Sequence, residues 1–198
     1  GGMNNSAILA FAAAGASIAL GLAALIRKPR TPTQYALAGG LVLFGGEAVL
    51  NGLTFLTEDG ELRLAYQAYA LFAIALMPGP WLLFSVCYSR GNWKVFVRKW
   101  RLLIGAAFFF PLATALIFRE RSVVGLRQTI DAEWFLELDQ AGSVLILFLL
   151  LSSIFVLMNL ERTFRASVGT MRWRIKYMVL GLGLLFGVQV YTSGQMLL

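Results

Sequence analysis

Apolar runs of about 20 residues, the length a membrane-crossing helix needs, alternate along this sequence with short polar connections. Six such runs predict helices over about 6–26, 33–56, 64–88, 102–118, 141–160 and 175–198. The first is closed by Arg27-Lys28-Pro29-Arg30, where charge ends the apolar run and proline discourages continuation. The second and third are joined by the acidic, hairpin-sized turn Thr57-Glu58-Asp59-Gly60-Glu61. The third contains Met77-Pro78-Gly79-Pro80-Trp81; two prolines without backbone donors and a flexible glycine predict a kink or break there. The expected fold class is an all-α membrane protein, a bundle of about six transmembrane helices forming one polytopic domain over 6–198.

The composition agrees with lipid as the main solvent. Of 198 residues, 59% are apolar and 14% charged, and mean hydropathy is +0.73, more apolar surface than a soluble core of this size hides. Residues 1–5 read as a tag remnant, Gly1-Gly2, and a short N-terminus starting at Met3. A cleaved signal peptide is disfavoured, because Met3, Asn4 and Asn5 carry no charge and the basic cluster follows the apolar run instead of preceding it. Cys87 is the single cysteine and histidine is absent, which excludes a disulfide framework and a Cys/His metal site.

Charge gives the orientation. Thirteen of the 17 Lys and Arg residues lie in the connections 27–30, 89–101 and 161–176, and four lie in the alternate connections, which also hold eight of the ten acids. Positive loops stay in the cytoplasm, so the N-terminus is expected outside, in the inner membrane of a bacterial cell. The net charge of +7 could point to nucleic acid, but the cations form short clusters between apolar runs, so no nucleic-acid partner is expected. Anionic lipid headgroups fit better. Arg98, Lys99, Arg101, Arg172, Arg174 and Lys176 are the candidate interface residues, and Trp173 and Tyr177 among them suit the same boundary. On the outer side, Ser122–Ile130 and Trp134–Leu138 alternate partially around Asp131-Ala132-Glu133 and predict a short extracytoplasmic β-hairpin-like loop.

One acid falls within an apolar run. Glu47 lies in Gly45-Gly46-Glu47-Ala48-Val49-Leu50-Asn51, with Asn51 four residues on and on the same helical face. A charge at bilayer depth costs at least about 2.5 kcal/mol, so Glu47 is either a ligand, proton or ion site or a structural hydrogen-bond clamp. The flanking glycines would let a second helix approach it. Gln67, Gln189 and Ser193 are candidates for the same polar interior, and Gly183 and Gly187 form a weak small-xxx-small step.

Leu160-Glu161-Arg162-Thr163-Phe164-Arg165, then Met171-Arg172-Trp173-Arg174-Ile175-Lys176-Tyr177-Met178-Val179-Leu180-Gly181, and then Tyr191-Thr192-Ser193-Gly194-Gln195 resemble the later helices of membrane sensor histidine kinases. The resemblance is greatest to the exosortase-associated (PEP-CTERM system) type, PrsK. It implies that the chain is the sensor region, cut before its last spans and before cytoplasmic GAF-like and kinase domains. It also implies homodimerisation and a cytoplasmic response regulator as partner. ATP and magnesium are expected only for the missing kinase domain; within this chain no cofactor, no metal and no catalytic residue is expected. No ligand residue transfers from the family, and without histidine the chain cannot autophosphorylate on that residue. A sensor bundle is therefore the expected function. The alternative is a small transporter or channel-like protein with Glu47 and Asn51 inside and a broken helix at Pro78-Gly79-Pro80. An enzyme would need facing nucleophiles, acids or metal ligands, and no such grouping is readable.

Overall fold

The computed structural model describes residues 3–26, 31–88, 92–117, 123–128, 134–138, 140–167 and 169–197. The cluster Arg27–Arg30, Arg90, the segment with Arg119 and Arg121, and the turn Asp131-Ala132-Glu133 lie outside these. Helix α1 spans Met3–Ile26 and α2 spans Pro32–Leu56. Thr31 starts α2 with a reciprocal cap: its hydroxyl accepts from the Gln34 amide and the Gln34 side chain accepts from its own N–H, with Pro32 following. Asp59 starts α3 (Gly60–Leu76) by accepting from the Glu61 amide at 2.9 Å.

The chain leaves α3 at Met77 and resumes as α4 (Pro78–Cys87), because Pro78 cannot donate to Ile74; the Met77 amide takes that carbonyl instead, at 3.1 Å. Helix α5 (Trp93–Ile117) is followed by β1 (Val123–Gln128) and β2 (Trp134–Leu138), which pair antiparallel and lie against α3 and α6. Helices α6 (Gln140–Ala166) and α7 (Thr170–Leu197) complete the order.

Two helices run past their apolar segments into sequence read as loop. Helix α5 begins at Trp93, not near Leu102, and α6 continues to Ala166, so most of the two basic connections is helical. Lys and Arg are good helix formers, and their long stems let a helix leave the apolar layer with its charges in the headgroups. Between α6 and α7 the chain turns at Gly169, whose φ of +64° is available to glycine without strain. Five helical runs among the described residues are long and apolar enough to cross a membrane: α1, α2, α3 with α4, α5 and α6; in α7 the apolar stretch Ile175–Tyr191 is shorter. The protein is a multi-pass membrane protein.

Small residues decide which helices touch. Ala38, Gly45 and Gly52 recur every seven residues on one face of α2 and receive α1. A Cβ on Gly45 would fall 2.5 Å from Ile18, and one on Gly52 would fall 2.9 Å from Phe11. The opposite face of α2 carries Gly40, against which Trp81 of α4 lies so closely that a Cβ would fall 2.5 Å from the indole. Gly79 receives Phe108 of α5 in the same way. The step at Gly183 and Gly187 packs nothing: a Cβ there would meet no atom within 4 Å.

The α3–α4 run is therefore the central one, with 72% of its apolar window buried against 11% for α1. Trp81, 1% exposed, is ringed by Phe44, Phe84 and Phe186 at centroid distances of 5.6, 6.0 and 5.0 Å, two of them edge-on. This cluster joins α2, α4 and α7. Its single polar atom, Trp81 Nε1, has no hydrogen-bond partner among the described residues. Thermal unfolding in detergent tests the arrangement. Gly40→Leu should cost about 1–3 kcal/mol by overpacking, and Trp81→Ala about 3–5 kcal/mol by leaving a cavity. Trp81→Phe should cost less than Trp81→Ala, since it keeps one aromatic ring in the cluster and the N–H it gives up is unpaired.

Candidate functional site

Three polar residues in the second half of α2 lie on one face at i, i+4 and i+7: Glu47, Asn51 and Thr54. This is the face that carries Gly40 and Phe44, directed into the bundle and away from α1. The Asn51 side chain hydrogen-bonds the Glu47 carboxyl within α2. From α3, the Gln67 amide donates to Asn51 Oδ1 at 3.3 Å and to Thr54 Oγ1 at 3.1 Å. The Thr54 hydroxyl in turn donates to the Leu50 carbonyl at 2.9 Å. One amide thus ties two polar side chains of the neighbouring helix, and each partner is half-buried.

The ladder reaches the α2–α3 turn. Arg63, one helical turn before Gln67 on α3, donates from Nε to the Thr57 carbonyl, and the Thr57 hydroxyl donates to Leu53 at 2.9 Å. Polar side chains therefore recur along α2 and α3 from the turn to Glu47. On the other side of Glu47 they stop: Phe44, three residues back on the same face, belongs to the Trp81 cluster.

Of the residues expected to share this interior, Glu47, Asn51 and Gln67 come together. Gln189 is half-buried on α7, and the side chain of Ser193 lies outside the described residues. Gly45 and Gly46 do not serve Glu47: Gly45 receives Ile18 of α1, and a Cβ on Gly46 would meet nothing within 4 Å. Their angular position on the helix, not their adjacency in sequence, decides this. Thr54 was not singled out from the sequence, although its spacing of three from Asn51 and seven from Glu47 is the signal that finds it.

A second polar contact also lies beyond the sequence reading. Asn159 of α6 donates to the Ser85 hydroxyl of α4 at 3.2 Å, and Ser85, fully buried, donates to Leu82 at 2.9 Å. Pro78, Gly79 and Pro80 are buried or half-buried in the interior and form the break already described, with no polar side chain to offer a ligand. Arg98, Lys99, Arg101, Arg172 and Lys176 are exposed; the Arg172 guanidinium lies 5.3 Å from the Phe164 ring centre and the Lys176 ammonium 5.2 Å from that of Trp173. The side chain of Arg174 is outside the described residues.

Two apolar grooves open on the flanks. One, of about 440 Å³, lies between α3, α5 and α6 and is lined by Ala68, Phe72, Ala115 and Leu145. The other, of about 420 Å³, lies between α6 and α7. Neither contains Glu47, Asn51 or Gln67, and walls of this kind at membrane depth suit lipid tails. Among the described residues no group of His, Cys, Asp or Glu could hold a metal ion. The candidate site is therefore the α2–α3 ladder. In a double-mutant cycle on unfolding, Asn51→Leu and Gln67→Leu should couple by about 0.6 kcal/mol, a usual value for a hydrogen bond between membrane helices. Glu47→Gln keeps a partner for Asn51 and should leave the midpoint of unfolding nearly unchanged. Comparison with family models, with curated proteins and with solved structures finds no match to this chain.

Proposed function

We propose that this chain is the membrane-embedded signal-input region of a sensor histidine kinase of the exosortase-associated type. In this reading α7 is the sixth crossing, the N-terminus is extracytoplasmic, the basic helix ends face the cytoplasm of a bacterial cell, and the strand pair lies on the outer side. The kinase chemistry, with its ATP and magnesium, belongs to a cytoplasmic module outside this chain. That module passes phosphate to a response regulator, and the sensor works as a homodimer.

The observation that carries the reading is the continuity of one helix face. Glu47, Asn51 and Thr54 share the inner face of α2 with Phe44 and Gly40, and Trp81 rests on that face while touching Phe186 of α7. A stimulus that changes the state of the Glu47 group alters how α2 meets α3, and the close-packed rings carry that shift to α7. Such a switch requires a stimulus with different affinity for the two packings. The Met77–Pro78 break in the central run favours a second reading, a small transporter, because broken helices at membrane depth line transport paths.

The deciding experiment is the gene sequence beyond Leu198. A histidine-bearing dimerisation helix and an ATP-binding domain are expected; a stop codon there overturns the sensor reading and makes vesicle transport assays the next step. In the kinase-bearing protein, Glu47→Gln should change autophosphorylation several-fold at unchanged expression. Cysteine labelling in a Cys87→Ser background should place Asp59 on one side and Lys94 and Ser167 on the other. Labelling of all three from one side sinks the topology.

A further inference from the structure

We propose that Glu47 is a proton-binding site open to one side of the membrane only, reached from the α2–α3 turn along the Gln67–Thr54–Asn51 ladder and closed on the other side by the Phe44–Trp81–Phe186 cluster. This deepens the signal-input reading by naming the ligand and the side from which it arrives, and it rests on that reading only for the use made of the proton.

The ligand class follows from what surrounds the carboxyl. A metal or alkali cation needs several oxygens converging on one point. Here the neighbouring oxygens are turned to one another: Asn51 Oδ1 and Thr54 Oγ1 both accept from Gln67, and the Thr54 hydroxyl is directed to Leu50. One carboxyl remains, and it is the only acid of α2. An organic cation or zwitterion would need a chamber beside it, and neither of the two grooves described above is lined by Glu47.

The helices packed against α2 bring few charges. Helix α1 has no ionisable side chain; α4 has only Cys87; α3 has Glu61, Arg63, Tyr66 and Tyr69; and α7, which meets α2 through Phe186, has its cations at its basic end and Tyr177 and Tyr191 beyond them. Arg63 is engaged at the turn with the Thr57 carbonyl. The carboxyl has the Asn51 side chain as a hydrogen-bond partner, and in lipid the form that costs least is the one that has taken a proton from water and become neutral.

Sidedness follows from the order of residues along α2. Towards the turn, Asn51 and Thr54 are polar and half-buried, and the α3 residues beside them, Gln67 and Arg63, are polar as well. Water entering from the turn finds hydroxyl and amide groups to hydrogen-bond along such a row, and it is the water that carries the proton to the carboxylate. Away from the turn the next side chain on that face is Phe44, seated on Trp81 with Phe186 behind it at 5.0 Å from the indole. Between Gly40 and the indole there is not room even for a Cβ, so water cannot pass between α2 and Trp81 at that point.

The test uses the whole chain in right-side-out and inverted membrane vesicles with the pH of each side set separately. Dicyclohexylcarbodiimide, which dissolves in the bilayer and adds a protonated carboxyl across its C=N bond, is the probe, and mass spectrometry of the Glu47 peptide is the readout. Starting from vesicles made alkaline enough on both sides to ionise Glu47, acidifying the side that exposes Asp59 should speed its modification several-fold, and acidifying the opposite side should leave it unchanged. Trp81→Ala, or Phe44→Ala if the first fails to fold, should make the rate respond to both sides. A wild-type rate that follows the opposite side, both sides or neither overturns the proposal. Because the readout is chemical, one-sided modification with no effect of Glu47→Gln on kinase output supports the proton site and rejects the sensor reading.

Discussion

The meeting of Trp81 with Gly40 is the contact on which the rest of the bundle depends. Lipid tails are as apolar as the side chains, so helices in a membrane gain little by hiding apolar surface and associate through close, shape-matched packing. A glycine on α2 opposite the largest side chain of α4 supplies that match, and the indole then serves as the surface against which Phe44, Phe84 and Phe186 are arranged. Gly79 repeats the device one helix further out by admitting Phe108. The helix break at Met77 belongs to the same arrangement, because the prolines that end α3 also set α4 in the position from which Trp81 reaches α2.

The polar groups obey the same solvent. Trp81 Nε1 apart, the polar side chains at depth whose contacts are described have partners on their own helix, on a neighbour, or on both: Glu47 with Asn51, Gln67 with Asn51 and Thr54, Asn159 with Ser85. The two interhelical contacts lie on opposite sides of the aromatic cluster, one between α2 and α3 and one between α4 and α6. Hydrogen bonds thus fix the ends of the bundle while rings fill its middle. This division leaves α2 as the helix that belongs to both regions, and for that reason a signal-input reading centres on it.

The apolar runs were legible because lipid imposes a length that sequence alone can meet or miss, and the break at Pro78 was legible because a missing N–H is a property of the residue. Helix ends at the basic segments were not. Hydropathy records where the apolar layer stops, whereas the helix continues wherever Lys, Arg and Trp keep its hydrogen bonds, as at Trp93 and Ala166. The polar pairing of Glu47 with Asn51 could be read from spacing, and Gln67 could be nominated from its depth. The role of Gly40 could not be read: twenty glycines look alike in the sequence, and only the packing of α4 on one face of α2 distinguishes Gly40 from Gly46. The glycine pair beside Glu47 misled for the same reason, since adjacency in sequence places residues 100° apart on a helix.

The α1 helix has a consequence of another kind. Among the described residues it packs essentially on α2 alone, through Phe11, Ala14, Ile18 and Gly21 against Ala38, Gly45 and Gly52. All the contacts that hold this hairpin together are therefore short-range along the chain and present as soon as α2 has left the ribosome. During biosynthesis the pair can close as a finished unit in the membrane, with the opposite face of α2 still bare, and that face becomes the template on which α3 and then α4 are laid down as they emerge. The order in which the helices are made is then also the order in which they can be packed.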